Sequence, residues 1–290
     1  MNSYEWDKHG FVILEQFFRP EELDDLSQLA SQNVVKGGPD VYPTFALAQY
    51  DLIQAAHIRE LPYLARMSEA VEKVMGTPIS FYNSLYLEVH ADKADAKPGL
   101  GWHQDTASFA ILEKGTSACF CWTIIENSLD DGQGTLELIL RQKVTELTGC
   151  DLRERCVVVF DTADLAKRHG IDLRWKAKYL LLDAITYQIL SFFDTPMEQF
   201  AERPVLRRGD LLICNRDIMH RSAPTKAEKG ERSALTMRFV DPKARYNGCL
   251  DDGVPLYMYG VYHGSKLWQR LVKEKRGAYV VENNGATAAA

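Results

Sequence analysis

From Ile79 onward the chain consists of short apolar or alternating segments that turn residues separate. Their length and their content of β-branched and aromatic residues are typical of β-strands. Because turns rather than long helices separate most of these segments, the pattern predicts a sandwich or jelly roll instead of alternating strands and helices. The predicted strands are Ile79 to Val89, Ser117 to Ile125, Thr135 to Leu140, Arg155 to Phe160, Leu211 to Cys214 and Arg232 to Val240.

The part of the chain before Ile79 has a different character, because it predicts one short strand and two amphipathic helices. The strand follows Gly10, and the first helix begins near Pro20 with acidic residues in its first turn, where they suit the positive end of the helix dipole. The second helix ends at Gly76, since glycine commonly terminates helices. Its apolar face comprises Leu64, Met67, Val71 and Val74.

A length of 290 residues fits either one or two domains. No repeat, linker or low-complexity segment divides the sequence. We therefore predict a single domain over residues 1–290, with a helical N-terminal part over 1–78, a jelly-roll core over 79–240 and a C-terminal extension over 241–290. The less regular stretch over 161–204 is interpreted as an insertion in this core.

The charge balance excludes some classes of partner. With 34 basic and 40 acidic residues, the net charge of −6 does not predict binding to nucleic acid or to an anionic membrane. No apolar run has the length of a membrane span, and the charged N-terminus does not resemble a signal peptide, so we expect a cytoplasmic protein. The six cysteines form no CxxC pair, which predicts reduced, packed thiols rather than a disulfide scaffold.

The sequence contains the pattern His-x-Asp twice, as His90 with Asp92 and as His103 with Asp105. On a strand, residues i and i+2 point to the same side, so this pattern supplies two of the three ligands of a mononuclear iron(II) site with two histidines and one carboxylate. The first pair runs into a polar loop, whereas His103 and Asp105 lie between apolar segments. His103 and Asp105 are therefore the favoured ligands, and the first pair is the alternative.

The third ligand is predicted to be His220, which follows a turn and a buried strand. Arg232 comes twelve residues later at the start of the last core strand, where its guanidinium could bind a carboxylate with two hydrogen bonds. His263 has a similarly placed Arg276, but its segment looks helical, so it is the weaker candidate. The other histidines are interpreted as surface or packing residues: His9, His57 and His169.

At these residues the chain resembles the phytanoyl-CoA dioxygenase family of iron(II)/2-oxoglutarate oxygenases. The segments His9 to Leu14 and Phe17 to Leu23 look like the entry strand and helix of that family, and Trp102 to Asp105 is similar to its ligand motif. Gly209 to Leu212 and His220 to Pro224 resemble its distal histidine motif. These matches extend over residues 4–240, whereas the stretch after the fourth core strand lacks the usual Pro-Gly-Ser-His turn.

The resemblance implies a mainly β fold with flanking helices around a double-stranded β-helix, the jelly roll of the cupins. It implies iron(II) held by His103, Asp105 and His220, with Arg232 binding the far carboxylate of 2-oxoglutarate. It further implies a dioxygenase that uses O2, converts 2-oxoglutarate to succinate and CO2, and hydroxylates an unactivated C–H bond of a small molecule. Related halogenases have glycine or alanine in place of the carboxylate ligand, so Asp105 favours hydroxylation or another oxygenase outcome such as desaturation.

Three further residues are weaker candidates for contacts with 2-oxoglutarate or the substrate. Ser222 could share the strand face of His220, Trp122 falls on the next core strand, and Tyr86 lies on the strand before the ligand motif. Each has a purely structural alternative, as a turn serine or a packed aromatic residue. Arg238 has the same strand parity as Arg232 and would replace it if a bulge shifted the register.

Two other classes of protein compete with the oxygenase. One is a non-oxidative cupin-like metal protein, an isomerase or a sensor that uses zinc or manganese, which would account for three ligands but not for Arg232. The other is a binding module in which the histidines are ordinary core residues. The sequence indicates neither the substrate nor the oligomeric state.

Overall fold

The structure is a computed structural model of the 290-residue chain. It describes residues 5–33, 47–48, 62–90, 105, 109, 112–113, 115–129, 136–143, 200–223, 228–248, 270–271 and 273–281. For residues 30–33, 47–48 and 83–90 only the backbone is described. The predicted strand from Arg155 to Phe160 and most of the predicted insertion lie outside the described residues.

The N-terminal elements are helical apart from two short strands. Their bounds are α1 at Trp6–His9, β1 at Phe11–Leu14, α2 at Pro20–Asn33, β2 at Leu47–Ala48 and α3 at Pro62–Met75. The segment before Gly10 therefore forms a helical turn, which ends where Gly10 adopts a φ of +85°. α3 ends as predicted, because the N–H of Gly76 donates to the carbonyl of Glu72 at 2.8 Å.

The remaining elements are strands. They are β3 at Ser80–His90, β4 at Ala118–Asn127, β5 at Leu136–Ile139, β6 at Ala201–Glu202, β7 at Leu211–Asn215, β8 at Met219–Ser222 and β9 at Glu231–Val240. A six-stranded antiparallel sheet has the order β1-β7-β4-β9-β3-β2, and a three-stranded antiparallel sheet has the order β6-β5-β8.

The two faces of the six-stranded sheet pack against different partners. The outer face, which includes Leu235, Met237 and Phe239 of β9, packs against α2 and α3. The inner face, which includes Phe120 and Trp122 of β4, packs against the three-stranded sheet. Two apolar layers therefore lie on either side of one sheet, as expected when strand residues alternate between faces.

The predicted fold class is confirmed: the protein is mainly β with flanking helices and has a jelly-roll core. Most predicted strands correspond to β3, β4, β5, β7 and β9. Residues 201–202, placed by the sequence in the insertion, form β6 and pair with β5. Within the described part of the chain, no helix is long and apolar enough to cross a membrane. The division into parts over 1–78, 79–240 and 241–290 stays a prediction.

Candidate functional site

The inner face of β9 carries a buried arginine at each end and small residues between them. On the neighbouring strand β4, the residue that pairs with the Arg232 end of this face is Asn127. The residues that pair with the rest of the face are aromatic or aliphatic. On β9 itself, the two inner-face residues between the arginines are the small Ala234 and Thr236, and the four residues form a strip along this face. The residues of the strip are Arg232, Ala234, Thr236 and Arg238, and their β4 partners are Asn127, Ile124, Trp122 and Phe120.

Asp105 lies at the Arg238 end of this strip. The Nε atom of Arg238 donates a hydrogen bond to Oδ2 of Asp105 at 2.9 Å, and both side chains are buried. A buried carboxylate without such a partner would be costly, so Arg238 compensates the burial of Asp105.

His220 on β8 faces the same carboxylate from the three-stranded sheet. Its Nδ1 atom lies 3.1 Å from the carbonyl oxygen of Ile218, which can only accept a hydrogen bond. This contact favours the tautomer with the proton on Nδ1, in which Nε2 is the nitrogen nearer to Asp105. Nε2 lies 3.9 Å from Oδ1 of Asp105, and the ring stands 4.7 Å from that of Phe120.

The separation of these two atoms fits a shared metal ion. Two adjacent ligand atoms of an octahedral metal, each about 2.1 Å from it, are about 3.0 Å apart, so the 3.9 Å between Nε2 and Oδ1 places both donors at one point and requires a shift of under about 1 Å to hold a metal. Among the described residues there is no group of three or more histidine, cysteine, aspartate and glutamate side chains at metal-binding distance. The predicted third ligand, His103, lies outside those residues.

Arg232 lies at the opposite end of the strip, almost completely buried. Its Cζ atom stands 5.7 Å from the centroid of the Trp122 ring, within the range of a cation–π contact. Burial lowers the pKa of Arg232 to about 10, which leaves the guanidinium charged at neutral pH. A fixed cation in a desolvated setting is suited to binding a carboxylate group.

The structure describes the side chains of two of the three weaker candidates, Ser222 and Trp122. Ser222 is buried and pairs with Leu136 on the strand face that His220 also occupies, as the parity argument predicted. Trp122 is buried on the inner face beside Arg232. Tyr86 pairs with Leu235 of β9, but its side chain lies outside the described part of the chain, so its role stays a prediction. Asp92 and His263 of the alternative ligand sets are also outside it.

The sequence did not reveal what holds β8 in place. Glu137 of β5 is fully buried and is opposite Arg221 of β8. Its carboxylate forms ion pairs with Arg221 and with Arg203. Because strand residues alternate, Arg221 is anchored on one side of β8 while its neighbour His220 points to the other. The apolar–charged–apolar pattern of Leu136, Glu137 and Leu138 was the available signal.

Cys214 also reaches the inner face, between the two sheets. Burial raises the pKa of its thiol well above the ordinary value, and the nearby Cys119 and Asp105 add to the effect. Since thiolates rather than thiols bind metals, Cys214 is not expected to compete with the oxygen and nitrogen ligands.

The fold and the site together define a jelly-roll protein with a buried aspartate and histidine facing one point between its sheets. No family model matches the sequence and no curated protein matches it, so membership of the phytanoyl-CoA dioxygenase family stays a prediction.

Solved structures share the fold over most of the chain. The non-heme α-ketoglutarate-dependent epimerase SnoN from nogalamycin biosynthesis has a TM-score of 0.62 at 14% identity, covering 96% of this chain and 93% of SnoN. The carbocyclase SnoK from the same biosynthesis has a TM-score of 0.60 at 15% identity, covering 96% and 90%. EvdO2 from Micromonospora carbonacea var. aurantiaca has a TM-score of 0.52 at 14% identity, covering 82% and 88%. SnoN has been solved with Fe3+, α-ketoglutarate and nogalamycin RO. At these identities the similarity establishes the fold.

Proposed function

We propose that the protein is an iron(II)/2-oxoglutarate-dependent dioxygenase that hydroxylates an unactivated C–H bond of a small molecule. The observation that carries this proposal is the position of Asp105 and His220, whose Oδ1 and Nε2 atoms lie 3.9 Å apart in a buried site. These residues come from separate parts of the chain, and each is oriented by a hydrogen bond through its other polar atom.

In this proposal His103, Asp105 and His220 hold the metal. The donor set of two imidazoles and one carboxylate suits iron(II) and leaves positions for co-substrate and oxygen. When bound, iron would supply the chemistry by which O2 oxidises 2-oxoglutarate to succinate and CO2. It would also supply the oxidant that attacks the substrate C–H bond. The similarity in fold to SnoN, which was solved with Fe3+ and α-ketoglutarate, supports this assignment.

Arg232 is the proposed partner for the far carboxylate of 2-oxoglutarate. The alternative, Arg238, already donates its Nε hydrogen to Asp105, which makes it the less suitable anchor. Arg232 stands over the Trp122 ring, and the next residue along the inner face of β9 is the small Ala234. Ser222 shares the face of His220 and is proposed to add a hydrogen bond to the bound co-substrate.

The surroundings would keep water away from the reacting atoms. The inner-face cluster is apolar and buried, with Ile124, Leu138 and Leu212 among its members. In such a setting the charges of Arg232 and Asp105 act strongly on a bound anion and a bound metal.

Hydroxylation is proposed rather than halogenation because Asp105 would provide a carboxylate ligand, which the related halogenases lack; desaturation is the alternative oxygenase outcome. SnoN and SnoK are an epimerase and a carbocyclase, so the product itself must be identified. Mass spectrometry of a turned-over substrate distinguishes these outcomes: a gain of one oxygen atom supports hydroxylation, whereas a product of unchanged mass or one that has lost two hydrogens contradicts it.

The decisive experiment is anaerobic addition of iron(II) and 2-oxoglutarate to the purified protein. A weak visible charge-transfer absorption that requires both components is expected, and Asp105→Ala or His220→Ala should abolish it. Arg66→Met provides a matched control, because it removes an arginine–carboxylate pair between α2 and α3 instead. A folded, iron-loaded protein without the absorption contradicts the proposal.

A non-oxidative cupin-like metal protein is the second candidate. It would bind zinc or manganese through the same side chains but would show no affinity for 2-oxoglutarate and would form no succinate.

We also propose a reducing compartment, the cytoplasm, because Cys119, Cys121 and Cys214 are buried free thiols.

A further inference from the structure

Arg238 is a buried cation placed next to a proposed metal ligand. It lies on the inner face of β9, between Asn83 of β3 and Phe120 of β4, and it is only 3% exposed. A guanidinium is costly to bury, so its position beside Asp105 indicates a specific role. From the sequence, Arg238 was predicted only as a substitute for Arg232.

The two oxygens of Asp105 are engaged differently. Oδ2 accepts the hydrogen bond from Nε of Arg238 at 2.9 Å, whereas Oδ1 is the oxygen that lies 3.9 Å from Nε2 of His220. A carboxylate with one oxygen held in this way presents only the other oxygen to a metal between Asp105 and His220. We propose that Arg238 is a positioning residue that fixes Asp105 as a ligand through one oxygen, so that the other coordination positions stay open for 2-oxoglutarate and O2. This inference rests on the proposed function.

The charge of Arg238 makes the effect of its removal diagnostic. By Coulomb's law alone, taking a cation away from a divalent metal would tighten metal binding. Loss of the hydrogen bond that orients a ligand has the opposite effect and typically weakens metal affinity or activity by about 10- to 100-fold. Weaker binding of Arg238→Met would report the lost hydrogen bond together with the lost compensation of the buried Asp105 carboxylate, and a variant that keeps a donor without the charge separates the two.

The test uses cobalt(II) as a spectroscopic probe of the metal site in the full-length protein. Arg238→Met is expected to bind cobalt(II) about 10- to 100-fold more weakly than the wild type. Its cobalt(II) absorption bands in the presence of 2-oxoglutarate should also change, because the freed carboxylate can bind through both oxygens. Unchanged or tighter affinity, or an unchanged spectrum, overturns the inference.

Two variants guard against a folding defect. Arg238→Lys keeps the charge and a donor and is expected to bind cobalt(II) more tightly than Arg238→Met, and Arg238→Gln keeps only a donor and should lie between them. If Arg238→Lys binds no better than Arg238→Met, the orienting hydrogen bond is contradicted. The control Arg66→Met breaks another arginine–carboxylate pair, that with Glu22, and should leave both affinity and spectrum unchanged.

Measurements on the wild type distinguish a failure of the proposed function from a failure of the proposed role of Arg238. If the wild type binds iron(II) but shows no absorption that depends on 2-oxoglutarate, the proposed function fails. If it shows that absorption and Arg238→Met matches it in metal affinity and spectrum, only the role of Arg238 is overturned.

Discussion

The two faces of the six-stranded sheet use the same strands for different purposes. On β9 the outer face presents Leu235, Met237 and Phe239 to the helices, whereas the inner face presents Arg232 and Arg238 to the proposed site. Because alternate residues of a strand point to opposite sides, a change at one position need not disturb the next. We infer that the outer face serves stability alone, whereas the inner face combines an apolar layer with the residues for ligand binding, and that substitutions on each face should separate these roles.

The outer face should give the largest loss of stability. Phe239 is fully buried, and its ring packs edge-on against Phe81 at 5.8 Å. Phe239→Ala is expected to lower the free energy of unfolding by about 3–5 kcal/mol, because it removes buried apolar surface and leaves a cavity. Urea denaturation of the apo protein measures this loss, and Phe239→Leu provides a milder variant if the alanine variant does not fold.

The same variants test the separation of the faces. Folded Phe239→Leu should bind iron(II) and 2-oxoglutarate with the wild-type affinity, although Phe239 is adjacent to Arg238 in sequence. A loss of binding in proportion to the loss of stability would show that the two faces are coupled.

A smaller effect is expected where α2 and α3 are joined on the outer side. Arg66 donates hydrogen bonds to both oxygens of Glu22, at 2.9 and 2.6 Å, and the N–H of Arg19 donates a third at 2.9 Å. These bonds, with that from Arg66 first, lower the pKa of Glu22 from 4.5 to about 2. Glu22→Gln should therefore reduce stability at pH 7 on the order of 2 kcal/mol, as expected for hydrogen bonds to a charged group.

The pH dependence follows from the direction of this shift. A carboxyl group whose pKa is lowered on folding stabilises the protein fully above its unfolded value, and this contribution is lost as the pH falls from about 4.5 towards 2. The difference between wild type and Glu22→Gln should shrink over that range in urea denaturation. The exposed neighbour Glu21 provides the control, since Glu21→Gln should change stability by less than about 0.5 kcal/mol at any pH. A difference that does not depend on pH would contradict this role of Glu22.

The contrast between the faces also explains what could be predicted from the sequence. The alternation of apolar residues located most strands, and the parity of His220 and Ser222 placed both on one face. The pairing of Arg238 with Asp105 joins residues 133 positions apart, and local patterns contain no information on such a contact. Parity showed that Arg232 and Arg238 share a face, but only the register with β4 shows which of them lies beside Phe120.

The short strands were harder to predict for a related reason. β6 has two residues and β8 has four, so neither is long enough to show a periodic pattern. Their pairing with β5 is determined by tertiary contacts, including the buried ion pair of Glu137 with Arg221. His220 was nevertheless identified as a candidate ligand, because its spacing to Arg232 follows from chemical demands rather than from strand length.

The smallest expected effect is that of a substitution at Trp122. This substitution tests most directly whether an inner-face residue serves ligand binding or stability. Its ring faces the guanidinium of Arg232 at 5.7 Å, so it could serve the site as well as the core. Trp122→Phe keeps an aromatic side chain but has a weaker ring quadrupole, and we expect 2-oxoglutarate affinity to fall by about two- to fivefold, equivalent to about 0.5–1 kcal/mol. Anaerobic titration of the charge-transfer absorption measures this affinity. Phe81→Leu, which removes a ring from the outer face, should lower stability and leave that affinity unchanged. If Trp122→Phe behaves like Phe81→Leu, Trp122 serves the core alone, although its ring faces the guanidinium of Arg232.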